Sequence, residues 1–120
     1  MARAPARDPA EQLPLSPLHF HILIALVEGE RHGYAIKKSI ADSSAGMLEP
    51  GAGSLYHAIK GLLAGSLIEE AGERPDPHLD DERRRYYRIT RYGQQVARAE
   101  AGRLAALLRR TRRLPGFASD

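Results

Sequence analysis

Several groups of side chains in this chain of 120 residues have the types and spacing that chemistry requires. Asp80, Asp81 and Glu82 form a run of carboxylates, and five histidines are spread along the sequence. Such groups serve acid–base catalysis when burial shifts their pKa values, and they bind metals when held at ligand spacing. Neither condition is met. The carboxylates end a polar, proline-bearing stretch, residues 73–82, in which nothing excludes water. His19 and His21 are two residues apart, which places them on different sides of a helix and argues against a metal pair. The absence of cysteine removes disulfides and thiolate metal sites. No glycine loop with phosphate-binding spacing, no His-Glu metal pattern and no nucleophile elbow occurs. Neither an enzymatic activity nor a cofactor is expected.

The remaining candidates suit recognition. Ser54, Tyr56, His57 and Lys60 lie in the stretch 53–68, where they make a polar, aromatic and cationic set without an acid. Ser54 can hydrogen-bond a phosphate or a base edge near a helix N-terminus. His57 can donate or accept at a base edge, and Lys60 can reach guanine acceptors or a phosphate. Tyr56 reads equally as a contact and as a structural residue packed under a neighbouring hairpin, with only its hydroxyl reaching a phosphate. Arg83, Arg84 and Arg85 are consecutive, always-charged forks that match phosphate geometry and carry affinity, not sequence information. Arg3, Arg7, Lys37 and Lys38 read as solvated charges.

Charge distribution points the same way. The net charge is +3. Residues 1–82 hold seven Lys/Arg against thirteen Asp/Glu, whereas residues 83–120 hold eleven Arg against two acids. A basic segment concentrated in one third of the chain favours a polyanionic partner.

Helices and strands must position these residues. Ser16-Pro17 opens a first helix with the stripe Leu18, Ile22, Leu23, Leu26 and Val27, stopped by Gly29. Residues 28–33 read as a turn. A second helix runs from about Gly33 to Asp42 on Ile36 and Ile40. In the glycine-rich loop that follows, Met47 and Leu48 suggest a very short strand or a core plug. Leu55, Ile59, Leu62 and Leu63 then give a third helix one apolar stripe and leave Ser54, Tyr56, His57 and Lys60 outside it. Two strands flank the polar tip 73–82. In the second, Arg85, Tyr87 and Ile89 alternate with Arg84, Tyr86 and Arg88, and Tyr86 and Tyr87 read as scaffold. Thr90 caps a last helix, roughly residues 91–113, in which Ala97, Ala101, Leu104 and Leu108 repeat at heptad-like spacing. A second copy of the chain is the economical cover for that edge.

The expected fold class is mainly α with a small β-hairpin: a winged helix-turn-helix plus a long C-terminal dimerisation helix. Residues 1–14 read as a flexible arm, 15–90 as the DNA-binding domain, 91–113 as the dimerisation helix and 114–120 as a tail. In such folds the third helix enters the major groove and the wing lies near the backbone. No apolar run approaches the roughly 18 residues of a membrane span, and the N-terminus is no signal peptide, so a cytoplasmic protein without membrane partners is expected.

Several pieces occur together in order: Ile22 to Leu26, His32 to Ile36, Gly53-Ser54-Leu55-Tyr56, Ala58 to Lys60, Leu67-Ile68 and Tyr86 to Gly93. With these the chain resembles the PadR-like transcriptional regulators, in the short-chain branch with a single C-terminal helix. His57 stands where many members carry proline, Gly61 where a basic residue is common, and Ser66 where glycine usually follows the recognition helix. The resemblance implies a dimeric repressor on an inverted-repeat operator in double-stranded DNA. It also implies a small hydrophobic or phenolic effector near the dimer interface. The alternative is a winged-helix protein-interaction module without specific DNA binding, suggested by the acidic N-terminal two-thirds and by Asp76, Asp80, Asp81 and Glu82 at the wing tip.

Overall fold

Capping chemistry starts the first helix as the sequence requires. The Ser16 hydroxyl accepts from the His19 N–H at 3.1 Å, and Pro17 fills the first helical position. The computed structural model describes residues 7–75 and 83–117. Among these, α1 is Pro17–Val27, β1 Arg31–His32, α2 Gly33–Ser43, α3 Ala52–Ala64, β2 Ile68–Pro75, β3 Arg83–Ile89 and α4 Arg91–Thr111. The fold is mainly helical with a small three-stranded antiparallel sheet, a winged helix-turn-helix with an added C-terminal helix.

One core holds these elements together. Ile22, Leu23 and Leu26 of α1 meet Ile36 and Ile40 of α2, and Leu55, Ile59 and Leu62 of α3. Leu67, Ile68, Tyr87, Val96 and Ala97 close it from the wing and from α4. Val27, expected in the α1 stripe, points outward instead and is 52% exposed, with Ile24 beside it. Met47 is exposed and Leu48 is only partly buried against the core, so the loop before α3 holds no strand.

Two further features depart from the sequence reading. Arg31 and His32, expected within a turn, form a short strand that pairs with Tyr87 and Tyr86, giving the sheet order β1-β3-β2. Two residues are too few to show alternation, and the pairing partner is remote in sequence. Within the stretch read as an arm, Pro9–Gln12 form a 3-10 turn capped by Asp8, and Leu13 packs against the core. Prolines interrupt any periodic signal there. The acidic wing-tip residues lie outside the described residues.

Candidate nucleic-acid interface

The third helix is amphipathic by position. Leu55, Ala58, Ile59 and Leu62 are buried, while Ser54, Tyr56, His57 and Lys60 are exposed. Gly51 is its N-cap and no side chain caps that end, so the first-turn amides face outward beside Ser54. Free amides and the helix dipole favour an anion there. Lys60 Nζ stands 5.6 Å from the centre of the Tyr56 ring, one turn away on the same face. Beyond Gly61 lies open space, so a side chain at that position would extend the exposed face. His57 also approaches His19 of α1. Burial holds the His19 imidazole below its usual pKa, and the nearby His57 adds to the effect.

A cleft of about 350 Å3 separates α3 from the wing. Tyr34 and Lys37 of α2, Tyr56 of α3, and Arg84 and Arg85 of β3 surround it, over a floor that includes Leu55, Ile59 and Tyr87. Among the described residues its lining includes three cationic side chains and no carboxylate. Tyr56 is 56% exposed along this cleft and is therefore not part of the core. Tyr87 fills the scaffold role, and burial raises the pKa of its phenol. Tyr86 is half-buried, set edge-on to His32 at 5.2 Å and beneath the Arg74 guanidinium at 4.0 Å. Lys37, read as a solvated charge, joins the same cleft because α2 crosses beside α3.

The wing arginines differ in their surroundings. Arg85 lies 3.4 Å from Glu70 and 3.8 Å from Glu73 on the neighbouring strand. Exposed pairs of this kind contribute roughly 0–1 kcal/mol, so a phosphate can replace them at small cost. Arg88 is held by Glu69 at 2.7 Å, a hydrogen bond that raises its pKa, and approaches Glu30 at 3.9 Å. Arg84 is partly buried at the cleft wall. Arg83 pairs through its backbone register with Pro75, and its side chain lies outside the described residues.

A second surface runs along α4. Its inner side, Gly93, Val96, Ala97 and Glu100, is buried by its own domain. Of the residues expected at a dimer contact, Ala97 is therefore covered already, at 4% exposure. Ala101 and Leu108 are exposed, Leu104 is partly so, and Leu107 is exposed beside them. Ile24 and Val27 of α1 flank this edge and line, with Gln94, Ala97, Arg98 and Ala101, a groove of about 320 Å3.

Two polar residues escaped the sequence reading. His32 caps α2, its Nδ1 accepting from the Ala35 N–H at 3.1 Å. Glu100 is 1% exposed. It accepts from the Leu15 N–H at 2.6 Å and from Arg103 Nε. The Arg103 bond lowers the Glu100 pKa, burial opposes this, and the Leu15 bond assists it. A signal existed: the buried positions Gly93, Val96, Ala97 and Glu100 follow helical periodicity, which puts a carboxylate on the inner side. Among the described residues no cluster of histidines and carboxylates could hold a metal ion, and no helix is long and apolar enough to cross a membrane.

Comparison with known proteins places this geometry among relatives. The transcriptional regulator PadR-like family matches residues 22–99. No curated protein matches the chain. A transcriptional regulator from Clostridium thermocellum superposes with a TM-score of 0.66 at 24% identity, over 81% of this chain and 91% of that one. A PadR family transcription regulator from Clostridium difficile gives a TM-score of 0.67 at 19% identity, over 80% of this chain and 95% of that one. A PadR-like transcriptional regulator from Bacillus cereus gives 0.64 at 19% identity, over 81% and 92%. These structures share the fold.

Proposed function

The chain belongs to the transcriptional regulator PadR-like family, and on that premise we propose that it is a homodimeric, ligand-responsive repressor acting on an inverted-repeat operator in double-stranded DNA in the cytoplasm. Membership makes it a DNA-binding regulator of transcription and not an enzyme. In the proposed complex α3 enters the major groove. Ser54 and Lys60 meet phosphate or base edges, His57 reads a base edge, and Tyr56 contacts the backbone from the cleft. Arg83, Arg84 and Arg85 hold the adjacent phosphates and supply affinity without sequence information. The observation that carries this reading is the cleft that joins the exposed side of α3 to the cationic wing, lined by Lys37, Arg84 and Arg85 and, among the described residues, by no carboxylate.

The dimer proposed here joins two copies along Ala101, Leu104 and Leu108, with Ile24 and Val27 at its edge. Two such recognition helices would meet half-sites about one helical turn, roughly 34–36 Å, or a multiple of it apart. A small hydrophobic or phenolic effector acting at that interface would change the spacing between them.

Binding of the protein to the DNA upstream of its own gene, titrated with salt, tests this reading. Affinity should fall steeply as salt rises and exceed that for a scrambled duplex. His57→Ala and Lys60→Ala should each relax discrimination among operator variants, by about 1–3 kcal/mol per lost base contact. If both substitutions leave specificity intact, α3 is not the element that reads sequence.

A further inference from the structure

The segment before α1 reaches the C-terminal end of α3. Arg7 Nη1 donates to the carbonyl of Gly65, the C-cap of α3, at 2.6 Å. The same guanidinium lies over the ring of Tyr92 on α4, 4.2 Å from its centre. From there the 3-10 turn Pro9–Gln12 runs beside α4, with Asp8 accepting from the Ala10 N–H at 2.9 Å. Leu13 and Leu15 pack against the core, and the Leu15 N–H donates to buried Glu100 at 2.6 Å. The segment is thus fastened to α4 at Tyr92 and again at Glu100, about two helical turns further along, while Arg7 holds the end of α3.

We propose that Arg7 is a positioning residue for DNA recognition: with Tyr92 as its platform, it fixes the C-terminal end of α3 against α4. The last carbonyls of a helix are unsatisfied acceptors at the negative end of its dipole, which favours a cation there. The Tyr92 ring attracts the guanidinium and limits its motion. From the other side, the Thr90 hydroxyl donates to the Ser66 carbonyl at 2.7 Å, and the Thr90 N–H donates to the Leu67 carbonyl at 3.0 Å. Three segments remote in sequence therefore meet where α3 ends. The α3 angle is set by the same helix that is proposed to join the two subunits.

The functional part of this inference rests on α3 reading DNA, so the experiment has one measurement on DNA and one on the free protein. Arg7→Ala should weaken binding to the upstream DNA about fivefold at every salt concentration and leave the slope of log affinity against log salt unchanged. On a Tyr92→Leu background, Arg7→Ala should cause no further loss. A slope reduced by about one would make Arg7 a direct phosphate contact and overturn the proposal. Unchanged affinity, or additive losses in the pair, would overturn it as well. In the free protein, Arg7→Ala should speed amide exchange at Ser66 and Leu67, which close α3, without affecting the α1 core. Unchanged exchange there removes the latch itself. Failure of the unaltered protein to bind DNA would instead reject the recognition role of α3.

Discussion

Ser66 closes α3 at φ 60°, in the left-handed region. The turn is a Schellman motif: the Ser66 N–H donates to Leu63 and the Leu67 N–H to Leu62, each at 3.0 Å. Glycine is usual at that position because a Cβ there crowds the neighbouring carbonyl. The departure from the family pattern seen at Ser66 therefore has a conformational cost. Ser66→Gly should stabilise the protein by about 1 kcal/mol in chemical denaturation, the strain relieved being partly offset by greater freedom in the unfolded chain. A loss of stability would mean that the serine side chain makes a compensating contact. His57 and Gly61, the other two departures, lie on the exposed side of α3 and leave its packing untouched. In the proposed complex they bear on which bases are met, not on whether the helix forms.

At the level of elements, the backbones of α4 and of the segment leading into β2 approach closely at Gly93. Thr90 caps α4 by accepting from the Gly93 N–H at 3.0 Å. A Cβ placed on Gly93 would lie 2.0 Å from the Leu67 carbonyl oxygen. That oxygen belongs to backbone already held by Thr90 and cannot swing aside. Gly93→Ala should therefore displace α4 and cost about 3 kcal/mol of stability, measured by thermal or chemical unfolding. Unchanged stability would show that α4 sits further from the start of β2 than this. The glycine that ends the Tyr86–Gly93 motif thus marks a close backbone approach. β2 and β3 form the hairpin foreseen from the alternation of Tyr87 and Ile89. Their register shift between Glu70 and Glu73, with Gly72 at φ 95°, was not foreseen. A bulge needs one residue with backbone freedom, and a lone glycine in a strand is compatible with either outcome.

For the whole molecule, exposed apolar side chains gather on α1 and α4. Leu107 and Leu108 are 51% and 61% exposed, and Ile24 and Val27 continue the patch. Their apolar area would be withdrawn from water by a second copy. Leu104→Glu combined with Leu108→Glu should give a folded monomer by sedimentation, because neither residue belongs to the buried core. A persistent dimer would place the interface elsewhere. The charge asymmetry also acts at this scale. The acids of β2 pair with Arg85 and Arg88 and moderate the basic wing, whereas no acid among the described residues lines the cleft beside α3.

The sequence by itself determined the helices, the wing strands and the residue types on the exposed side of α3. Those properties are local: capping at Ser16 and Thr90, the period of Leu55, Ile59 and Leu62, and the alternation through Tyr87 are all encoded within a few neighbouring residues. Tertiary structure alone decided that Arg31 and His32 pair with the wing, that Ala97 faces inward, and that Glu100 holds Leu15. It also brought Tyr56, Lys37 and Arg84 around one cleft and set Arg7 on the end of α3. Periodicity states which side of an element is apolar. It does not state which element covers that side, because contacts between segments distant in the chain depend on the angles at which helices and sheet pack.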